Sequence, residues 1–176
     1  MAGKSELLAA ATDRAVTIAL AAGTTRPPGR IHAVTLGLFD AIEGHPWLAP
    51  QLATQLSRNP TGPVTTRMFE TIGRQVYALD LPASSWFTAT SALVHYILGA
   101  AGQNAANLIC ARSLGPEADR SAYIDTVARA WKQLSPEDYP VIRAVADQGL
   151  EHDDRVQFLA GIDLIIASVT AQPPAA

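Results

Sequence analysis

The chain has 176 residues, a hydrophobic content of 48% and a formal net charge of −3, enough for a compact domain with a real core. A negative balance without a basic stripe excludes non-specific attraction to nucleic acid or anionic lipid as the basis of function. A single cysteine, Cys110, excludes an internal disulfide and fits a reducing, cytoplasmic setting.

From Gly3 to Ala22 the sequence is alanine-rich and free of proline, with Glu6 three residues after a Gly3 cap. Leu7, Leu8, Ala11, Ala15, Ile18 and Ala22 recur there at helical spacing. Lys4 followed by the amphipathic Ser5–Ala22 lacks the apolar core and cleavage site of a secretory signal. Thr24–Gly29, with two prolines, is a loop. Arg30–Glu43 is a second helix whose stripe is Ile31, Val34, Leu38 and Ile42, widened by Phe39. Gly44 ends it, and His45-Pro46-Trp47 turns a corner into a short helix reaching about Ser57. Asn59–Pro63 is a turn and cap cluster, and Val64–Leu79 follows with Met68, Phe69, Ile72, Val76 and Leu79 at helical spacing.

The next stretch, Leu81 to Ala111, contains no Asp, Glu, Lys or Arg, although charged residues make up 16% of the chain. It carries no proline after Pro82, so it reads as one helix of roughly 40 Å. Polar residues from Ser84 to Asn107 interrupt it, and no 18-residue apolar segment exists to span a membrane. A helix without charges offers no face to water, so its own chain should cover one side and a second copy the other. Gly99, Ala100, Ala101 and Gly102 would allow two helix backbones to approach closely.

Gly115–Asp119 is a polar break, Ala122–Leu134 a further helix, and Tyr139–Asp147 a short one. The last helix begins near Asp153 and Asp154, whose charges suit a helix N-terminus, and ends about Ala171. Phe158, Ile162, Ile165 and Val169 form one seam; Leu159 and Ile166 form another beside it. With no strand-like alternation, the expected fold is all-α, a bundle of about seven or eight helices.

Catalytic motifs are missing: there is no G-x-S-x-G, no H-E-x-x-H and no phosphate-loop lysine. His152-Asp153-Asp154 stands at a helix start, where capping is favoured over metal binding or acid–base work. His95 lies mid-helix in an apolar setting, and His45 belongs to the corner. Asp163, among Leu and Ile, needs a partner if buried, and Arg155 or another arginine would serve.

Four stretches together carry a likeness. They are Ala2-Gly-Lys-Ser-Glu-Leu-Leu8, Ala41-Ile-Glu-Gly-His-Pro-Trp-Leu48, Ser91-Ala-Leu-Val-His-Tyr-Ile-Leu-Gly99, and Phe158-Leu-Ala-Gly-Ile-Asp-Leu-Ile-Ile166. In that order they resemble the linker-helix start, the "HPW" corner, the long pairing helix and the final helix of TetR-family transcriptional repressors. The tetracycline-repressor branch is the most similar. The resemblance covers nearly the whole chain and implies a linker helix over residues 1–22 and a ligand-binding and dimerisation domain over 23–176. The family's helix-turn-helix would lie ahead of Gly3. Residues 1–50 balance Lys4, Arg14, Arg26 and Arg30 against Glu6, Asp13, Asp40 and Glu43, so this chain alone is not expected to bind DNA.

The resemblance further implies a pocket lined by Leu20, Val34, Leu38, Leu52, Gln55, Phe69, Ile72, Phe87, Thr90 and Val94. That set is mostly aliphatic or aromatic with two polar handles, which suits a mainly hydrophobic small effector. Leu52 stands where tetracycline repressors hold a magnesium chelate with a histidine. Leu20 and Val34 stand where they use a histidine and an asparagine. Recognition of a tetracycline–metal chelate is therefore not expected, and no cofactor or metal is implied. The implied homodimer pairs the long and final helices through His95, Leu98, Gly99, Gly102, Phe158, Gly161, Ile162 and Ile165. Two other readings stay open: a helical dimerisation adaptor with a filled core and no ligand, and a small all-α enzyme using a cavity carboxylate or His95.

Overall fold

Eight α-helices run close to the predicted spans in a computed structural model that describes residues 3–21, 29–113, 120–148 and 153–171. They are α1 (Lys4–Leu20), α2 (Gly29–Gly44), α3 (Leu48–Arg58), α4 (Pro63–Tyr77), α5 (Ala83–Ser113), α6 (Arg120–Lys132), α7 (Pro140–Val145) and α8 (Asp154–Thr170). No strand occurs among the described residues, and none of their helices is long and apolar enough to cross a membrane. Chain contacts divide the protein into two units, Met1–Ala105 with Phe158–Ala176, and Ala106–Gln157.

In the first unit, the Gly3 amide donates to Glu6 Oε2 at 2.9 Å, placing an anion at the α1 N-terminus. Glycine has no side chain to return the favour, so only one arm of a capping box exists. The buried face of α1 is Thr12, Val16, Ala19 and Leu20, whereas Leu7 and Ile18 are exposed. The apolar positions read from the sequence thus do not mark its inner face. An alanine-rich helix has little contrast between its sides, and its neighbours choose the face. Of those positions, Ala22 lies outside the described residues.

On α2, by contrast, Ile31, Val34, Leu38, Phe39 and Ile42 are all buried, as their spacing predicts. On α4, Met68, Ile72 and Val76 are buried, with Phe69 packed against the core, as is Leu79 just past the helix end. Helix α5, uncharged as far as Ala111, sends Ala89, Thr90, Leu93, Val94, Ile97, Ala101, Asn104 and Ala105 inward. Phe158 anchors α8 to two helices at once. Its ring lies 4.7 Å from that of Phe39 on α2 and stacks at 5.7 Å on that of Tyr96 on α5. The Tyr96 hydroxyl donates to the Phe158 carbonyl at 3.2 Å, and burial pushes its pKa above 10.0. Asp163 is exposed and bonded at 2.6 Å to Nε2 of His32 on α2, so its partner is a histidine and not the expected arginine.

In the second unit, Arg143 of α7 donates to the Leu134 carbonyl at 2.7 Å and to that of Lys132, satisfying acceptors at the end of α6. Asp153 caps α8, its Oδ1 accepting from the amides of Arg155 at 2.8 Å and Val156 at 3.0 Å. This is the capping role expected of the acidic pair; His152 lies outside the described residues.

Candidate functional site

A cleft of about 660 Å³ opens between α4 and the first turns of α5, a volume within the usual range for small-molecule sites. Its walls are Phe69, Tyr77, Trp86 and Phe87, its floor Gly73 and Thr90, and its rim Thr66, Glu70 and Arg74.

The connection between the two helices builds these walls. After α4 ends at Tyr77, Asp80 takes a left-handed conformation, φ 57°, which aspartate tolerates better than most side chains. The chain then reverses through Leu81 and Pro82 into α5. Trp86 Nε1 donates to the Leu81 carbonyl at 2.9 Å, and the Tyr77 and Trp86 rings lie 4.8 Å apart at 60°. This tilted pair lines the cleft in a favoured aromatic geometry. At the floor, Gly73 lacks the Cβ that would stand 3.5 Å from Thr90 Oγ1. At the rim, Arg74 Nε donates to Glu70 Oε1 at 2.6 Å, an i,i+4 pair of the kind worth a few tenths of a kcal/mol, roughly 0.2–0.5. Tyr77 and Phe87 are 65% and 76% exposed, a large aromatic area left to solvent.

Of the ten residues expected to line a pocket, the structure brings Phe69, Phe87 and Thr90 to this cleft. Leu20, Val34, Leu38, Leu52, Ile72 and Val94 are buried in the hydrophobic core. Gln55 is half-buried on α3. Sequence reasoning passed over Gly73, Arg74, Tyr77 and Trp86. A signal was available, because Phe69, Tyr77, Trp86 and Phe87 crowd four aromatics into one short stretch of a chain that is 6% aromatic.

The residues expected to pair two copies separate in a similar way. His95 and Gly99 face outward on α5, with nothing within 4 Å of a Cβ built on Gly99. Gly102 instead packs on Ala49, a built Cβ standing 3.2 Å from that methyl, and Gly161 packs on Tyr96. Phe158 and Ile162 are core, while Leu98 and Ile165 are half-buried against it. Leu164, 72% exposed, is a large apolar side chain that α8 turns outward beside Asp163, and Val156 near the helix start is exposed as well.

Helix α1 is tied to α4 by polar contacts. Arg67 lies one turn before Glu70 and two before Arg74; its Nη1 is 3.0 Å from Asp13 Oδ1 and also donates to Thr17 Oγ1. The Asp13 oxygen has no well-aligned hydrogen bond, so the contact with Arg67 is an ion pair without donor alignment. Among the described residues no group of three or more His, Cys, Asp or Glu is arranged to hold a metal ion.

Comparison with known proteins places this architecture among regulators. Residues 30–172 match the family model of the tetracyclin repressor-like C-terminal domain. The chain is 57% identical to the transcriptional regulator SCO7222, a TetR from Streptomyces coelicolor. It superposes on that structure with a TM-score of 0.85, covering 97% of this chain and 78% of that one. The fold also resembles ActR from Streptomyces coelicolor in complex with actinorhodin, at 19% identity and a TM-score of 0.71, with 97% of this chain and 76% of ActR covered. Apo ActR matches at 20% identity and a TM-score of 0.66, over 96% and 76% of the two chains. No curated protein sequence matches the chain.

Proposed function

The chain belongs to the tetracyclin repressor-like C-terminal domain family, and we propose that it is the effector-binding, homodimerising part of a TetR-like transcriptional repressor. Its effector is a mainly hydrophobic small molecule, held in the cleft between α4 and α5. The observation that carries this reading is the aromatic-walled cleft itself, with Phe87 and Tyr77 facing solvent where a ligand would cover them. Structures similar in fold include ActR in complex with actinorhodin, which supports a sensory role for this architecture. No step in it requires catalysis.

The contacts of Arg67 with Asp13 and Thr17 supply a route by which occupancy near Glu70 and Arg74 would bias α1, residues 1–22 being the linker segment in this reading. Dimerisation uses the outward faces of α5 and α8, around His95, Gly99 and Leu164, with Leu98 and Ile165 at the edge. DNA reading is assigned to none of the described helices, and the protein acts in the cytoplasm.

A thermal-shift screen of small hydrophobic molecules tests effector binding, because a ligand that binds only the folded state raises Tm. Sedimentation velocity at micromolar concentration tests the dimer, and a clean monomer there removes it. A second reading, a dimerisation module without a ligand, is favoured by the burial of Leu20, Val34, Leu38, Leu52, Ile72 and Val94 as filled core. It predicts a dimer whose Tm no screened compound raises.

A further inference from the structure

We propose that the cleft between α4 and α5 takes a flat aromatic ligand bearing an ionised acid, its ring against Phe69 and Phe87 and its acid on Arg74. The inference rests on the effector reading and adds the ligand's chemistry to it.

The ring follows from the walls. Four of the nine lining residues are aromatic, and Phe87 leaves most of its surface uncovered. A planar ligand gains offset or edge-to-face contacts there that an aliphatic chain of equal area does not.

Polarity on the ligand follows from the floor. Thr90 is 6% exposed, and its hydroxyl has no hydrogen-bond partner among the described residues. Gly73 keeps the space before it open, so a ligand oxygen reaching the floor would accept from Thr90.

The acid follows from Arg74. Glu70 engages only Nε, which leaves the Nη1–Nη2 edge of the guanidinium for a second, bidentate partner. Glu70 carries the opposite charge, so a cationic ligand must be weighed against an anionic one. A cation would need several ring faces converging on it, but Tyr77 and Trp86 are turned on each other. Glu70 is also already occupied by a guanidinium. The fork of Arg74 is the freer of the two charges.

Three probes on one ring system decide the matter: 2-naphthoate, 2-naphthamide and 2-naphthyltrimethylammonium, titrated calorimetrically at neutral pH. The expected result is naphthoate binding roughly ten-fold or more tighter than the other two, as a charge-assisted bidentate contact implies. Arg74→Gln should erase that preference, so that naphthoate binds no tighter than naphthamide; Arg74 is exposed, so the variant should fold. Phe87→Ala should weaken all three probes together. Equal binding of the three, or tighter binding of the amide or the ammonium, overturns the acid assignment and leaves an effector cleft standing. Failure of all three at millimolar concentration overturns the acid and the cleft together.

Discussion

Gly161 of α8 lies against the ring of Tyr96 on α5 so closely that a Cβ built there overlaps Oη and Cζ and stands 2.9 Å from Cε2. Tyr96 cannot swing away freely, because its ring stacks on Phe158 and its hydroxyl holds the Phe158 carbonyl. The small residue in the final helix therefore serves contact within the chain. Gly161→Ala is expected to cost about 1–3 kcal/mol through overpacking. Urea unfolding should also show Gly161→Ala/Tyr96→Ala to be less destabilised than the sum of its single variants. Simple additivity would mean that the two residues do not touch.

The same tyrosine predicts a pH dependence. Burial raises its pKa above 10.0, the value of the free side chain, so the folded state holds the phenolic proton more tightly than the unfolded state. The stability this contributes is complete below about pH 10 and is lost as pH climbs through the folded-state value. Tyr96→Phe should cost about 0.5–1.5 kcal/mol at neutral pH through the lost hydrogen bond. The gap between wild type and variant should narrow above pH 10 in denaturation curves. A gap that stays constant to pH 11 would show that Tyr96 is not the group responsible.

Leu52 and Phe87 were expected in one pocket, and their environments now separate them. Leu52 is fully buried, whereas Phe87 is 76% exposed. Leu52→Ala should lower stability by about 2–5 kcal/mol, while Phe87→Ala should change it by less than about 0.5 kcal/mol and act on ligand affinity. Calorimetric Tm values for the two variants check this directly, and equal losses would contradict it.

Asp80 holds the reversal that sets Tyr77 beside Trp86. At φ 57° a β-branched side chain is strained, so Asp80→Val should cost about 1–2 kcal/mol. Asp80→Gly, which removes the strain but loosens the unfolded chain, should stay within about 1 kcal/mol of wild type. The near-ultraviolet circular dichroism of the Tyr77–Trp86 pair should change in the first variant and persist in the second.

The helices and most of their boundaries were legible in the residues themselves. Prolines, glycines and the 3.6-residue recurrence of Ile31, Val34, Leu38 and Ile42 carry that information locally, and α2 buried every one of them. The uncharged run from Leu81 to Ala111 likewise announced a long helix with no natural face for water, and α5 spans it. Four ordered stretches were enough to point to the family. What the chain could not declare by itself was which neighbour each apolar face would meet. Gly102 meets Ala49, Gly161 meets Tyr96, and Asp163 meets a histidine 131 positions away. Nor could it declare where packing would stop. Periodicity states that Leu52 and Phe69 are both apolar and inward, but filling a volume depends on side chains from several helices at once. Only their joint arrangement decides that Leu52 is core while Phe69, Gly73 and Thr90 border open space.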